Sequence, residues 1–347
     1  MSWRPGPLNL LTDVAGLAVG NAEDQRARTG VTVILCEGRA VAAVDSRGGA
    51  PGTRETDALD PACLVDAVDA LVLSGGSVYG LGAADAVVAW LGARGRGFPV
   101  PGGRVAPVVP AAILFDLANG GDKDWGEQPP YAALGHAACA AAGPLFALGN
   151  AGAGFGAGAG AYKGGLGSAS AHTDDGFTVA AIAAVNSWGS PAMPGGTLWA
   201  APFERDGEMG HQRLVLPPAP LGDELPPDRK GGHLAAPPPA MANTTIAAVA
   251  TDAALTPAEA KRLAIMAQDG LARALRPAHA PFDGDTVFAL ATGRVPLPEP
   301  RAFHLARLGA LAADTLARAI GRGVFLADAQ GDAPAWRSIH PSAWGPR

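Results

Sequence analysis

The stretch Met241-Ala242-Asn243-Thr244-Thr245-Ile246, continuing to Leu255 as MANTTIAAVATDAAL, decides how this chain is read. Before it, from about Leu216 to Ala240, runs a Pro/Gly-rich segment poor in helix or strand signal. After it, Thr244 to Val249 is apolar and β-branched, the pattern of a buried strand. A structureless arm therefore feeds straight into a core strand that begins with threonine. An ordinary linker has the same look. So does an N-glycosylation acceptor, Asn243-Thr244-Thr245, but that needs a secretory route, and MSWRPGPLNL has no apolar signal-peptide core. The sharper reading is a cut between Asn243 and Thr244. Thr244 then becomes a new N-terminus, with a hydroxyl nucleophile and its own α-amine as base.

The 347 residues suffice for one large α/β domain or two average ones. A net charge of −6 gives no footprint for nucleic acid or an anionic membrane. No apolar run reaches the roughly 18 to 20 residues that span a bilayer. Cys36, Cys63 and Cys139 each sit in an apolar run and read as buried thiols in a reducing cytoplasm, with no disulfide frame or zinc site. The 48 glycines call for tight turns and close backbone contacts.

Outward from the central stretch, strands are expected at Leu10–Gly20, Gly30–Cys36, Ala40–Asp45, Leu71–Leu73, Gly176–Asn186 and Thr286–Ala291. Helical spacing marks Asp60–Leu71, Tyr79 to about Ala93, Tyr131–Ala142 and Ala302–Ile320, the last ended by Gly321. Thr256-Pro257-Ala258-Glu259 opens a capped helix that runs to about Leu275. Prolines in Val105–Phe115 argue against a central strand there. Ser190–Ala240 reads as a long surface segment or cleavable arm.

Several motifs fail on inspection. Gly149–Ser170 is the most glycine-dense part, but it holds neither a G-x-x-x-x-G-K-[ST] loop nor a G-x-G-x-x-G register. It reads as a flexible wall carrying one lysine, Lys163, and a lone lysine is more often solvated than catalytic. Gly75-Gly76-Ser77 before a helix can hold an anion on backbone amides or simply allow close packing. Gly75–Tyr79 misses G-x-S-x-G at its last position, and the seven histidines show no zinc-hydrolase spacing. Phe282-Asp283-Gly284-Asp285-Thr286 is either a plain Asp-Gly turn or a pair of carboxylates holding a cation.

Together, TDVAGLAVGN, TGVTVI, RGGAPGTRETD, LSGGSVYGLGAADAV, VPAAILFDL, KGGLGSAS, NTTIAAVATDAAL and PFDGDTVFALATG resemble one family along nearly the whole chain. It is the DmpA-like P1-family peptidases, the L-aminopeptidase/D-esterase, β-aminopeptidase and nylon-oligomer hydrolase group. The resemblance implies a four-layer α/β/β/α sandwich, similar to Ntn hydrolases and to ornithine acetyltransferase in architecture, formed by one domain over 1–347. It implies autocleavage into 1–243 and 244–347, with Asn243 and Thr244 flanking the cut. It implies that Thr244 is the nucleophile, Asn186 an oxyanion donor and Lys163 a neighbour of the nucleophile, with Asp283 and Asp285 matching the D-x-D of the nylon-hydrolase branch. Phe115 stands where some relatives have tyrosine, and Phe115 and Tyr79 are candidates for the substrate pocket. No metal or cofactor is expected. The expected partners are a small-molecule or peptide substrate and further copies of the chain, a homo-oligomer (a tetramer by resemblance), with no nucleic acid and no membrane. The expected activity is an aminopeptidase or amidohydrolase on small peptides, β-peptides or amino-acid oligomers. An ornithine-acetyltransferase-like acyltransferase and an uncleaved, non-catalytic scaffold are the alternatives.

Overall fold

The computed structural model describes residues 2–215, 225–232 and 243–345. The strand Thr178–Asn186 shows how the layers arise. Val179, Ala181, Ala183 and Val185 point to one face, Ala180, Ile182 and Ala184 to the other, and all seven are buried. A strand buried on both faces needs a layer on each side.

The main strands are β1 (Leu17–Asp24), β2 (Thr29–Ser46), β3 (Ala67–Ser74), β4 (Ala111–Ile113), β5 (Gly165–Thr173), β6 (Thr178–Asn186), β7 (Thr244–Ala253) and β8 (Thr286–Val295). The helices that cover them are α1 (Ala83–Gly92), α2 (Tyr131–Ala141), α3 (Pro257–Ala267), α4 (Asp269–Ala274) and α5 (Arg301–Phe325). One half of the strands runs β5-β6-β7-β8-β2, the other β1-β2-β3-β4. β2 belongs to both: its first part pairs β1 and β3, and its last part pairs β8. A register shift between Leu35 and Ala40 lets it pass from one to the other. β7–β8 and β3–β4 are parallel; the other main pairs are antiparallel.

Three apolar clusters separate four layers. Val31, Val33, Ala70 and Val72 pack against Val87 and Leu91 of α1 and Tyr131 and Ala138 of α2. Val19, Ile34, Leu71 and Leu73 face Ile182, Ile246, Ala248 and Phe288 between the two sheets. Val179, Ala181, Val249 and Val287 meet Leu263, Leu271, Leu305 and Leu316 of the other helices. The order is helix, sheet, sheet, helix: the four-layer α/β/β/α sandwich. Buried alanines dominate the facing strand surfaces, so the layers can approach closely.

Several expected elements differ. Asp60–Leu71 is no helix: Asp57–Leu59 is a short 3-10 turn, and β3 starts at Ala67, because pairing to β2 and β4 outweighs local spacing. Cys63 in this stretch is exposed, not buried; Cys36 and Cys139 are buried as expected. Strand structure begins at Leu17, not Leu10, since Leu11–Asp13 forms a 3-10 turn. The two expected strands at 30–36 and 40–45 are one strand, β2. The helix from Thr256 carries its capping box but breaks at Gln268, whose buried side-chain amide donates to the Asp45 carbonyl oxygen at 2.6 Å. α5 runs through Gly321 to Phe325, because that face packs on Met209 and Ala200, where no side chain fits. The glycine-dense wall is a packed layer and not a loose one. A Cβ on Gly167 of β5 would lie 1.9 Å from the Ala319 carbonyl oxygen of α5, so glycine there sets the helix–sheet distance. The segment from Ser190 is no surface arm at its start: Ser190, Thr197, Leu198, Ala200 and Met209 are buried. Of the arm expected at 216–240, residues 225–232 form turns. The rest of that expectation, with Met241 and Ala242, lies outside the described residues.

Candidate active site

β7 begins at Thr244, directly opposite Asn186, the last residue of β6. Both fall on the strand faces that carry Ala184 and Ile246, so both point toward the space between the sheets. There the apolar filling gives way to a cleft of about 800 Å³. Phe115, Asp116, Lys163, Asn186, Lys230 and Asn243 are among its lining residues. Tyr79 is not; it is half exposed and stacks edge-on against Trp125, with ring centroids 5.6 Å apart.

The peptide bond at Asn243–Thr244 is held on several sides. The Thr244 hydroxyl donates to the Asn243 carbonyl oxygen. The same oxygen accepts from Gly284 N–H at 2.8 Å, and Asn243 N–H donates to the Phe282 carbonyl at 3.2 Å. A hydrogen bond to that oxygen polarises the carbonyl toward attack. A Cβ on Gly284 would lie 2.7 Å from the Thr244 hydroxyl oxygen and 2.7 Å from the Ala50 carbonyl oxygen, so this turn closes over the hydroxyl only with glycine. The Asn243 side-chain amide is buried with no hydrogen-bond partner among the described residues. Such an amide costs on the order of 1–3 kcal/mol.

The two glycine-rich motifs lock together here. Arg47 and Gly48 donate N–H to the Asp285 carbonyl at 3.0 and 3.3 Å, and Ala50 donates to the Asp283 carbonyl at 2.8 Å. The loop after β2 thus sets the FDGD turn, and the turn sets the Asn243 carbonyl.

Asp283 and Asp285 are both buried, and backbone groups claim both carboxylates. Asp285 accepts from Thr245 N–H at 2.9 Å and from His279 through its backbone N–H and Nδ1, both at 2.9 Å. Asp283 accepts from Ala280 N–H at 3.0 Å and Trp188 N–H at 3.3 Å. Burial, then the charge of Asp285, raises the Asp283 carboxyl above the ordinary range. The charge of Lys230 acts against that rise.

Asn186 is the hub of the cleft. Its Oδ1 accepts from Gly158 N–H at 2.9 Å and from the Lys230 ammonium at 3.0 Å. Its Nδ2 donates to the Phe115 carbonyl at 2.9 Å. That leaves a second amide hydrogen for an oxyanion. Lys163 is buried, not solvated; its Nζ donates to the Gly154 and Gly164 carbonyls at 3.1 and 2.7 Å. Burial pulls it down to about 7, with Asp116 opposing and Lys230 adding to the shift. Burial likewise lowers Lys230 to about 8, against the attraction of Asp283.

The Gly75-Gly76 turn does hold an anion, an internal one. Asp116 Oδ1 accepts from Gly76 N–H at 2.8 Å, and its Oδ2 accepts from the Thr29 hydroxyl at 2.6 Å. Burial raises the Asp116 carboxyl. Asp116, Lys230 and the Gly284 N–H were not singled out in the sequence. Lys230 sits in the least structured-looking run, and no spacing rule marks a backbone donor. Among the described residues no cluster of His, Cys, Asp or Glu could hold a metal ion. No helix among them is long and apolar enough to cross a membrane.

The arrangement can do acyl chemistry: a buried hydroxyl beside a polarised carbonyl, an amide donor opposite, and desolvated amines in one cleft. The comparisons with known proteins agree. Residues 9–333 match the model of Peptidase family S58. An uncharacterized aminopeptidase of Mycobacterium tuberculosis is 46% identical, covering 97% of this chain and 100% of its own length. A 6-aminohexanoate-oligomer endohydrolase of Paenarthrobacter ureafaciens is 29% identical over 82% of this chain and 76% of that one. Among solved structures, a Burkholderia sp. beta-aminopeptidase superposes with a TM-score of 0.70 at 23% identity, covering 100% of this chain and 97% of that one. The L-aminopeptidase D-Ala-esterase/amidase of Ochrobactrum anthropi, described as a variant of the Ntn hydrolase fold, superposes with a TM-score of 0.67 at 22% identity, over 94% and 88% of the two chains. With its layers, its family match over most of its length and its close aminopeptidase relatives, this chain belongs to Peptidase family S58 and is a hydrolase of the aminopeptidase and amidohydrolase kind.

Proposed function

We propose that the chain cuts itself between Asn243 and Thr244 and then works as an N-terminal threonine hydrolase on small amides and peptides. The observation that carries this is the Asn243 carbonyl oxygen, which takes both the Gly284 N–H and the hydroxyl of the residue that would attack it. In the cut, Thr244 Oγ1 bonds to the Asn243 carbonyl carbon. The hydroxyl proton passes to the departing Thr244 nitrogen, and the peptide becomes an ester. Water then hydrolyses that ester, leaving Asn243 as a carboxylate and Thr244 with a free amine and a free hydroxyl.

In turnover the Thr244 α-amine takes the proton from its own hydroxyl as Oγ1 attacks the substrate carbonyl. An α-amine has a pKa of about 7.7–8.0, suited to that task near neutral pH. The second Nδ2 hydrogen of Asn186 stabilises the oxyanion. The leaving amine takes the proton, and water releases the acyl group. Lys163, when protonated, favours the neutral form of the amine, and its own lowering to about 7 limits that effect near neutral pH; carboxylates at Asp283 and Asp285 act in the other direction. The aminopeptidase and oligomer-hydrolase relatives support substrates with short amide-linked units. Three free cysteines suit a reducing, cytoplasmic setting. Assembly into a homo-oligomer belongs to the same reading and is checked by native mass.

Intact mass and N-terminal sequencing test the proposal. Two fragments should appear, the smaller beginning Thr-Thr-Ile-Ala. A fully active sample whose small fragment starts elsewhere would overturn it.

A further inference from the structure

Residues 225–232 precede the scissile bond and lie in the run that the sequence marks as an arm, yet they are docked against the cleft. Asp228 fastens them. Its carboxylate accepts from the Tyr162 hydroxyl at 3.0 Å and from the Ser190 hydroxyl at 2.5 Å. Its carbonyl accepts from Ala161 N–H at 2.7 Å. His340 supports Tyr162 from behind, with Nε2 2.8 Å from the phenol oxygen. Arg229 lies over the Trp188 ring, its guanidinium carbon 5.9 Å from the centroid. Lys230 N–H donates to the Trp188 carbonyl at 2.8 Å, two residues beyond Asn186. That last bond carries the Lys230 side chain to the end of β6 and its ammonium to Asn186 Oδ1.

We infer that Lys230 is a positioning residue for the oxyanion donor: its ammonium fixes the orientation of the Asn186 amide and strengthens the Nδ2–H that faces the cleft. This rests on the reading of Thr244 and Asn186 proposed above. An amide can be turned by half a rotation, exchanging Oδ1 and Nδ2. Here two donors, Gly158 N–H and Lys230, converge on Oδ1, and a carbonyl, that of Phe115, takes Nδ2. The turned amide would face N–H against N–H and against an ammonium. Lys230 makes the charged member of that pair, and a charge-assisted bond on Oδ1 draws electron density from the amide and makes Nδ2–H a better donor. Lys163 does no such work, since its Nζ is spent on two carbonyls of the glycine wall. The arm is thus more than a tether to be cut: the part of it held by Asp228 completes the site from the far side of the cut.

The test is a double-mutant cycle on processed enzyme with a p-nitroanilide that the wild type hydrolyses. Lys230→Met should lower kcat about 10-fold with KM changed less than about 2-fold. In an Asn186→Ala background the same change should cost less than about 2-fold, because a group that acts through Asn186 has nothing left to position. Equal losses in both backgrounds would overturn the inference, as would unchanged kcat or a rise in KM alone. If Lys230→Met is not recovered folded, Lys230→Gln runs the same cycle with melting temperature read alongside. Thr244→Ala separates this from the function itself. Hydrolysis retained there would overturn the reading of the site. An inactive Thr244→Ala beside a Lys230→Met with wild-type kcat would overturn the role of Lys230 alone.

Discussion

Two groups of polar residues of opposite kind meet at the start of β7. In the FDGD turn, carboxylates receive backbone N–H groups: Asp285 holds Thr245 and His279, and Asp283 holds Ala280 and Trp188. Around the cleft are amines and amides: Lys163, Lys230, Asn186 and an Asn243 amide that has no partner among the described residues. The lesson is a separation of work. The carboxylate group builds the turn that holds the Asn243 carbonyl; on the function proposed above, the amine and amide group is left for a reacting acyl group.

The largest test of that division is Thr244→Ala. It removes the hydroxyl and changes nothing in the carboxylate cage, so the chain should stay uncut and folded. Hydrolysis should fall by about 10⁴-fold or more, as when a nucleophile is removed. A denaturing gel and an assay of the same sample check both halves. A cut chain after this substitution would break the comparison outright.

Next comes Asn186→Ala, confined to the cleft side. An oxyanion donor is worth roughly 10² to 10³ in kcat, so that is the expected fall, with little change in melting temperature. Self-cleavage should suffer less than turnover, because the Asn243 oxygen already has the Gly284 N–H. Time courses of processing and steady-state kinetics on one preparation measure the difference. Equal loss in the two would mean that Asn186 serves both reactions.

Asp285→Asn tests the other side. The amide offers one acceptor oxygen and one NH₂ group where backbone N–H groups converge, so at least one buried donor loses its partner. The expected cost is about 1–3 kcal/mol of stability, with slowed processing because Thr245 N–H loses its anchor. Thermal unfolding and the processing half-time decide this. A wild-type melting temperature would show that the carboxylate does not frame the turn.

How much of this was legible depended on whether a residue's partners were local. β6, β7 and β8 stood out because buried, β-branched runs carry their own signal, and the Thr256–Glu259 cap is a four-residue device. Asp60–Leu71 misled because its spacing is helical and only its partners, β2 and β4, make its second half a strand. Gly321 misled because a glycine that ends a helix and a glycine that lets two elements touch look alike in sequence. Asn186, Lys163, Asp283 and Asp285 came from motif resemblance. Neither the register that sets Asn186 opposite Thr244 nor the turn that sends Asp285 to Thr245 follows from local pattern. Strand alternation does not place the Asp283 and Asp285 carboxylates, because β8 begins only at Thr286. Lys230 was invisible because its run has no periodicity, and its position follows from Asp228 and Trp188, distant in sequence from each other's partners.

The finest test concerns Asp283, the carboxylate of the FDGD turn whose charge the fold resists. Burial and the neighbouring Asp285 raise it, while two backbone N–H groups and Lys230 pull it down without cancelling the rise. A carboxyl raised on folding favours the protonated native state. Its contribution to stability is therefore complete below the unfolded value of about 3.9 and is lost as pH rises through the raised value. Asp283→Asn mimics the protonated form at every pH. In the uncut Thr244→Ala chain, where no new amine complicates the comparison, Asp283→Asn should be close to neutral at pH 4. It should be relatively stabilising, by about 1 kcal/mol or roughly 2 °C in Tm, once pH exceeds the raised value. If the stability difference between the two chains is instead flat with pH, Asp283 is ionised throughout, and the FDGD turn is a fully charged cage. If it slopes the other way, Lys230 dominates, and the turn and the cleft are held together by the attraction between Asp283 and Lys230.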